Sequence, residues 1–294
     1  MKFTKMHGLG NDYVYVDGFK EQVDDPVAVA RLVADRHFGV GGDGMILILP
    51  SERGDVRMRM FNSNGEEGEM CGNGVRCVAK YAYDHGLSKN NPIRVETGRG
   101  VLPIALDVDE NDRVSVATVD MDEPILDLRE IGINQGAIGR QPLYTRRGEH
   151  EFAIAHEIDR KELHAVFVSM GNPHMVHFVE DVDAIDLEKH GPKLEHYPAW
   201  PRKTNVHFAQ VIAPGELKMR TWERGSGITL ACGTGASAVL VAGVLTKRCA
   251  REALVHLPGG DLNIRWDEKT NHVFMTGPAT EVFSGEISLE GAYV

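Results

Sequence analysis

Positive charge is scarce in this chain. Thirty-two Lys and Arg stand against 43 Asp and Glu, a formal net charge of −11, and no Lys/Arg run exceeds two. A protein that tracks a phosphate backbone needs a basic face, so nucleic-acid binding is not expected. Long apolar runs are missing too. The longest mostly apolar stretch, Ala236 to Leu245, is too short to span a bilayer and includes Ser237 and Gly243. The first residues, Met-Lys-Phe-Thr-Lys-Met-His-Gly, contain no apolar segment of the secretory kind. A cytoplasmic protein is expected. Cysteine is also sparse: Cys71, Cys77, Cys232 and Cys249 are the only four, and in a reducing compartment they read as thiols. Cys71 and Cys77 are too far apart in sequence for a zinc knuckle and no His pair stands nearby, so no metal is expected.

What the chain does have is a repeat. Arg59 to Gly74 aligns without a gap on Arg220 to Gly235, matching Cys71-Gly-Asn-Gly74 to Cys232-Gly-Thr-Gly235, 161 residues further on (71 to 232). The same offset carries Gly10-Asn11 onto Gly171-Asn172 and Gly98 onto Gly259. Three separated segments in one register indicate an internal duplication with one Cys-Gly-x-Gly per copy. Two copies facing one another would set two thiols on opposite sides of a cleft.

At 294 residues the length suits two domains. Short strand-like runs dominate, such as Val56-Arg-Met-Arg-Met-Phe61 with its apolar-polar alternation. Helices are expected over Val27–Arg36 after Asp25-Pro26, over Val75–His85, and over Ala236–Thr246. The last is apolar nearly all round, as for a helix wrapped by sheet. The fold class is therefore α+β: two pseudo-symmetric domains, each a curved, mostly antiparallel, barrel-like sheet around a central helix. Residues 1–121 plus 278–294 would form the first domain and 122–277 the second. The stretch Ile125 to Asp159, outside the repeat, would pack on the second domain.

Both repeated cysteines precede a helix at a glycine-rich turn. Helix N-termini lower a thiol's pKa, and their N–H groups bind carboxylates. An amino-acid Cα–H is so weakly acidic that its removal needs a positioned base and stabilised charge. One thiolate to take the proton and one thiol to return it to the other face would invert the carbon. Cys77 and Cys249 lack this context and read as small buried hydrophobes.

Met6-His-Gly-Leu-Gly-Asn-Asp12, Cys71-Gly-Asn-Gly-Val-Arg-Cys77, Ser169-Met-Gly-Asn-Pro-His174, Glu223-Arg224-Gly and Ala231-Cys-Gly-Thr-Gly-Ala236 closely resemble the diaminopimelate epimerases. The resemblance implies a cofactor-independent enzyme that interconverts LL- and meso-2,6-diaminoheptanedioate, with Cys71 and Cys232 as the acid–base pair. It implies that Asn11, Asn62, Asn172, Asn205, Glu223 and Arg224 contact the substrate. Backbone groups of Gly72-Asn73 and Gly233-Thr234 would meet the reacting carboxylate. A small-molecule substrate and a homodimer are the partners expected. Some members carry Gln where this chain has Gly44, so that contact is lost or supplied by water. For His7 and His174 two roles stay open, support of the site or capping of a local turn.

Gly39-Val-Gly41-Gly-Asp-Gly44 matches a dinucleotide fingerprint, but it opens the strand-like Met45-Ile-Leu-Ile-Leu49 instead of a helix, so it is set aside. The nearest alternative activity is that of a proline or hydroxyproline racemase. The Glu223-Arg224 pair and the several Asn favour a longer substrate with a second charged end.

Overall fold

A hairpin of β1 (Lys2–Gly8) and β2 (Asn11–Asp17), in register from Thr4↔Tyr15 to Gly8↔Asn11, opens the chain. The computed structural model describes residues 1–134 and 144–290; the parts of the Ile125–Asp159 stretch and of the tail that fall on 135–143 and 291–294 lie outside the described residues. The chain divides into two compact units, Met1–Asp120 with Thr276–Val294, and Met121–Met275.

In the first unit, α1 (Pro26–Ala34) carries the chain from β2 to β3 (Gly44–Leu49), which lies parallel to β2. Asp25 caps this helix, its Oδ1 accepting from Ala28 N–H at 3.0 Å, and proline opens the first turn, where its missing N–H costs nothing. Strand β4 (Val56–Asn62) returns antiparallel to β3 and pairs with the short β5 (Glu67–Gly68). Then α2 (Gly72–Asp84) leads to β6 (Ile93–Thr97), parallel to β4, and β7 (Gly100–Val108) and β8 (Val114–Asp120) follow antiparallel. The tail strand Thr280–Glu286 pairs with the free side of β1. Helix α2 packs on strands from β1 to β8, so the sheet curves around it. The opposite face holds Val29, Ala30 and Val33 of α1 against Val14, Val16, Met45, Leu47 and Phe61. With both faces covered, β3 reads as one unbroken apolar run.

The second unit repeats this plan. Its repeat proper begins with β11 (Lys161–Ser169) and β12 (Pro173–Phe178), preceded by α3 (Leu128–Ile131), β9 (Tyr144–Arg146) and β10 (Glu151–Ile158). Strand β10 pairs with β11 as the tail strand pairs with β1. Helix α4 (Leu187–Glu195) links β12 to β13 (Asn205–Ala213), again parallel. Strands β14 (Glu216–Glu223) and β15 (Gly227–Thr229) precede α5 (Gly233–Leu245), and β16 (Glu252–Leu257), parallel to β14, pairs with β17 (Gly260–Trp266). Residues Gly235 to Gly243 of α5 are all buried, because the helix meets β11 to β14, β16 and β17. Ile131, Ile133, Phe152 and Ile154 join the core under α4 with Phe167, Val206 and Phe208, so the described part of the segment outside the repeat packs within this unit.

The architecture is the α+β, mostly antiparallel one expected, with two parallel pairs per unit where a helix intervenes. Several elements were not expected, β1, β10 and α4 among them, and α4 holds Gly191-Pro192 within it. Gly191 is there because a Cβ would lie 2.4 Å from Trp222 Cδ2, so only glycine lets the helix settle on that ring.

Candidate active site

Cys71 is the N-cap of α2, with extended backbone (φ −131°, ψ 121°), and Gly74 N–H donates to its Sγ at 3.4 Å. The β1–β2 turn, with Leu9 at φ 57° and Gly10 at φ 82°, delivers Asn11 beside it. The thiol donates to Asn11 Oδ1 at 3.2 Å, while Asn11 Nδ2 donates to Asp43 Oδ2 at 2.8 Å. A carboxylate only accepts, so Asp43 fixes which end of the amide meets the sulfur. Asp43 is itself held by Arg36 at 3.1 Å. Asn73, next on the helix, is buried, and its Oδ1 accepts from Arg76 Nη2 at 3.0 Å. Arg76 is wholly buried and also donates to Gly72 O and to Pro278 O, each at 3.3 Å. Burial draws its pKa below the ordinary range, and the nearby Cys77, Cys71 and Tyr15 oppose that. Asn62 ends β4, half-buried, and among the described residues its side chain makes no hydrogen bond. At Gly44, opposite Asn62, a Cβ would stand 2.0 Å from Phe61 O, so no side chain can occupy that position here.

Cys232 caps α5 in the same extended form (φ −126°, ψ 102°), more deeply buried, at 5% exposure. Burial raises its pKa well above the ordinary thiol value, with the Glu223 carboxylate adding to the rise; the Thr234 hydroxyl and Gly235 N–H work against it. The Thr234 hydroxyl is 3.7 Å from the sulfur. Glu223 ends β14, and its Oε1 accepts from Thr229 Oγ1 at 2.5 Å. Asn205 opens β13, where Oδ1 accepts from Arg224 N–H and Nδ2 donates to Pro173 O, both at 3.0 Å. Arg224 itself is exposed, one guanidinium nitrogen donating to Arg202 O at 3.2 Å. Asn172, positioned by Gly171 (φ 90°), donates to Thr234 Oγ1 at 3.4 Å and accepts from His174 Nε2 at 2.9 Å.

Each unit therefore gathers its own set: Cys71, Gly72, Asn73 and Asn11 around the start of α2, and Cys232, Gly233, Thr234, Asn172 and Glu223 around the start of α5. A first helical turn points its N–H groups outward, where they can receive a carboxylate. Cys77 is fully buried and Cys249 half-buried; burial pushes each to about 11, so neither ionises near neutrality. Among the described residues no cluster of three or more His, Cys, Asp or Glu could hold a metal ion. No helix among them is long and apolar enough to cross a membrane.

A family model described as diaminopimelate epimerase matches residues 3–126 and 166–282. The chain belongs to the diaminopimelate epimerase family. A diaminopimelate epimerase of Acetivibrio thermocellus is 53% identical over 291 residues, 98% of this chain and 99% of that protein. One of Methanococcus maripaludis is 49% identical over 98% of this chain and all of its own length. Among solved structures, a phenazine biosynthesis protein of the PhzF family from Bacillus anthracis superposes with a TM-score of 0.70 at 18% identity, covering 98% of this chain and 99% of that one. A probable proline racemase from Agrobacterium radiobacter gives 0.70 at 13%, covering 98% and 93%. At such identities the two structures share the fold and nothing finer. The fold is thus shared with proteins whose names denote different chemistries.

Sequence reasoning passed over several residues that this epimerase fold brings to its thiols. Asp43 orients Asn11, Arg76 braces Asn73, and His207 and Thr221 stand behind His174. Arg76 lay in plain view inside the Cys71–Cys77 motif. His207 carried a fainter signal, a polar residue alternating with Val206 and Phe208 on the inward face of β13. Of the two histidines left open, His7 serves its own turn, accepting from Gly10 N–H at 3.3 Å, and His174 holds Asn172.

Proposed function

We propose that the chain interconverts LL- and meso-2,6-diaminoheptanedioate without a cofactor, using Cys71 and Cys232 as its acid–base pair, in the cytoplasm, as a homodimer. The product would feed lysine biosynthesis and peptidoglycan precursor supply. The observation that supports the chemistry is the recurrence of one device: an extended N-cap cysteine heading the central helix of each unit. Inversion needs a base on one face of the carbon and an acid on the other. One thiolate removes the Cα proton, and the other thiol delivers a proton to the opposite face. The N–H groups of Gly72, Asn73, Gly233 and Thr234 would hold the reacting α-carboxylate as charge builds on the adjacent carbon. Asn11, Asn62, Asn172, Asn205, Glu223 and Arg224 would bind the rest of the zwitterion, Arg224 forking onto a carboxylate and Glu223 taking an ammonium.

The test is incubation of reduced, dialysed protein with LL- and meso-diaminopimelate in deuterium oxide, following Cα deuteration and configuration together. Inversion with one solvent deuteron per turnover is expected. An absence of inversion, or activity that requires added pyridoxal phosphate or metal, would overturn the reading.

A further inference from the structure

Helices α1 and α4 stand one repeat apart, with the shift of 161 at both ends (26 to 187, 34 to 195). Each also fastens a hairpin turn that it does not adjoin in sequence. From α1, Arg31 Nε donates to Asn64 O at 2.8 Å, in the turn between β4 and β5. From α4 the polarity is opposite. The Glu195 carboxylate accepts from Gly225 N–H at 3.2 Å, in the turn between β14 and β15, and from Trp222 Nε1–H at 2.8 Å, on the strand leading into that turn. The two bonds use different oxygens, and Lys203 Nζ lies 3.5 Å from the one that meets Gly225. Glu195 is buried. Burial alone would raise its pKa, but the indole, the Gly225 N–H and Lys203 outweigh that and hold the carboxyl below its ordinary range. The two residues between its donors are Glu223 and Arg224. Their turn is exposed from Arg224 to Ser226 and runs into a strand of three residues, so little else of its own anchors it.

We propose that Glu195 is a positioning residue: by clamping Trp222 and Gly225, it fixes where Glu223 and Arg224 present their charges, and so sets the affinity for a substrate carrying both an ammonium and a carboxylate. The inference rests on the reading of Glu223 and Arg224 as substrate-binding residues. Without the clamp, the substrate itself would have to order the turn, and that cost is taken from binding. The Glu223 carboxylate is held separately by the Thr229 hydroxyl, and Arg224 N–H by Asn205, so the arrangement beside Cys232 is restored once substrate is bound. The loss should therefore fall on KM and spare kcat.

The experiment uses Glu195→Gln in the full-length protein. The volume is kept, but one amide oxygen replaces two carboxylate oxygens, so the new NH₂ must face either the indole or the Gly225 N–H, donor against donor. With LL-diaminopimelate, KM should rise about tenfold, the equivalent of one lost hydrogen bond to a charged group, and kcat should stay within about threefold of the parent. Hydrogen exchange read by mass spectrometry should quicken about tenfold in peptides covering 223–229 and be unchanged in α5 and β13. In a Trp222→Phe background the conflict of donors disappears, because the amide oxygen can turn to Gly225, and the KM cost of Glu195→Gln should shrink to about twofold. An unchanged KM, a loss confined to kcat, exchange quickened throughout the second unit, or an equal KM cost in both backgrounds would each overturn the proposal. Should Glu195→Gln not fold, Trp222→Phe alone decides: it should quicken exchange over 223–229 and raise KM about threefold, and an unaltered turn would overturn the clamp. A parent protein that does not invert diaminopimelate would instead sink the two-thiol reading, and the exchange measurement would then judge the clamp without substrate.

Discussion

Gly74→Ala and Gly235→Ala place one methyl group at equivalent points of the two Cys-Gly-x-Gly turns and should give opposite results. Both residues lie in the first turn of a helix, where alanine gains up to about 1 kcal/mol over glycine. At Gly74 the added Cβ meets Ile46 Cδ1 at 2.9 Å and Met58 Cε at 3.2 Å, the ends of flexible side chains that can swing aside. At Gly235 it meets His207 Cε1 at 2.4 Å, His207 Nδ1 at 2.9 Å and Cys232 Sγ at 3.0 Å. That ring cannot move without straining its bonds to His174 and Thr221, each worth about 1 kcal/mol. Overpacking adds about 1–3 kcal/mol. The helix gain offsets only part of this, leaving Gly235→Ala about 2 kcal/mol less stable and Gly74→Ala near neutral. For a unit of this size the difference is a melting midpoint lowered by about 4–8 °C, measurable by scanning calorimetry on both variants. A Gly235→Ala protein as stable as its parent, or a Gly74→Ala protein that loses more, would refute the packing argument.

Cys71→Ala and Cys232→Ala should each lose at least about 10²–10⁴-fold in epimerisation, the usual worth of a positioned acid or base. Cys77→Ala and Cys249→Ala should keep most of it, since those thiols stay protonated near neutrality; steady-state assays of the four variants decide. Stability should fall as pH drops below about 6.5. His174, His177 and His207 are held neutral by burial, with folded values well below normal, about 4 and about 3 respectively, so only the unfolded chain gains protons there. Each should cost about 1 kcal/mol between pH 6.5 and 5.5, and the decline should level off once pH passes the folded values; urea midpoints at half-unit steps would show the slope, and a flat profile would contradict it. Arg76→Met should destabilise the first unit by about 3 kcal/mol by leaving Gly72 O, Pro278 O and Asn73 Oδ1 without its donors. It should also slow alkylation of Cys71, whose thiolate the guanidinium favours.

The repeat was legible because glycine and cysteine are hard to replace where backbone geometry and chemistry both constrain a position. Helices α2 and α5 and strands such as β3 and β4 declared themselves through composition and alternation. Helix α4 did not, because its Gly191-Pro192 answers to the Trp222 ring, a tertiary contact with no local trace. Strand β1 was missed for a related reason. Its Lys2, Thr4 and Lys5 weaken the apolar pattern, yet Lys5 is buried against Asp12, 2.6 Å away, so a charge sits where alternation asks for a hydrophobe. His207 and Thr221 are 14 residues apart and meet only through the β13–β14 register. The glycine-rich stretch ending at Gly44 opens a strand, as its apolar sequel suggested, and its last glycine serves the close approach of β3 to β4.

The place of the tail strand has a consequence for synthesis. Strand β1 is flanked by β2 on one side and by Thr280–Glu286 on the other, and the amino group of Met1 donates to Ile287 O at 2.8 Å. On the ribosome, the first unit thus waits until residues 280–286 have been made before its first strand is covered. The second unit, continuous from Met121 to Met275, has all of its own strands earlier. The common order, in which the first domain matures first, is therefore inverted: the β1–β2 hairpin emerges with an open edge and keeps it until residues 280–286 follow. The charged Lys2 and Lys5 on that edge, poor templates for pairing with a neighbouring nascent chain, guard the interval.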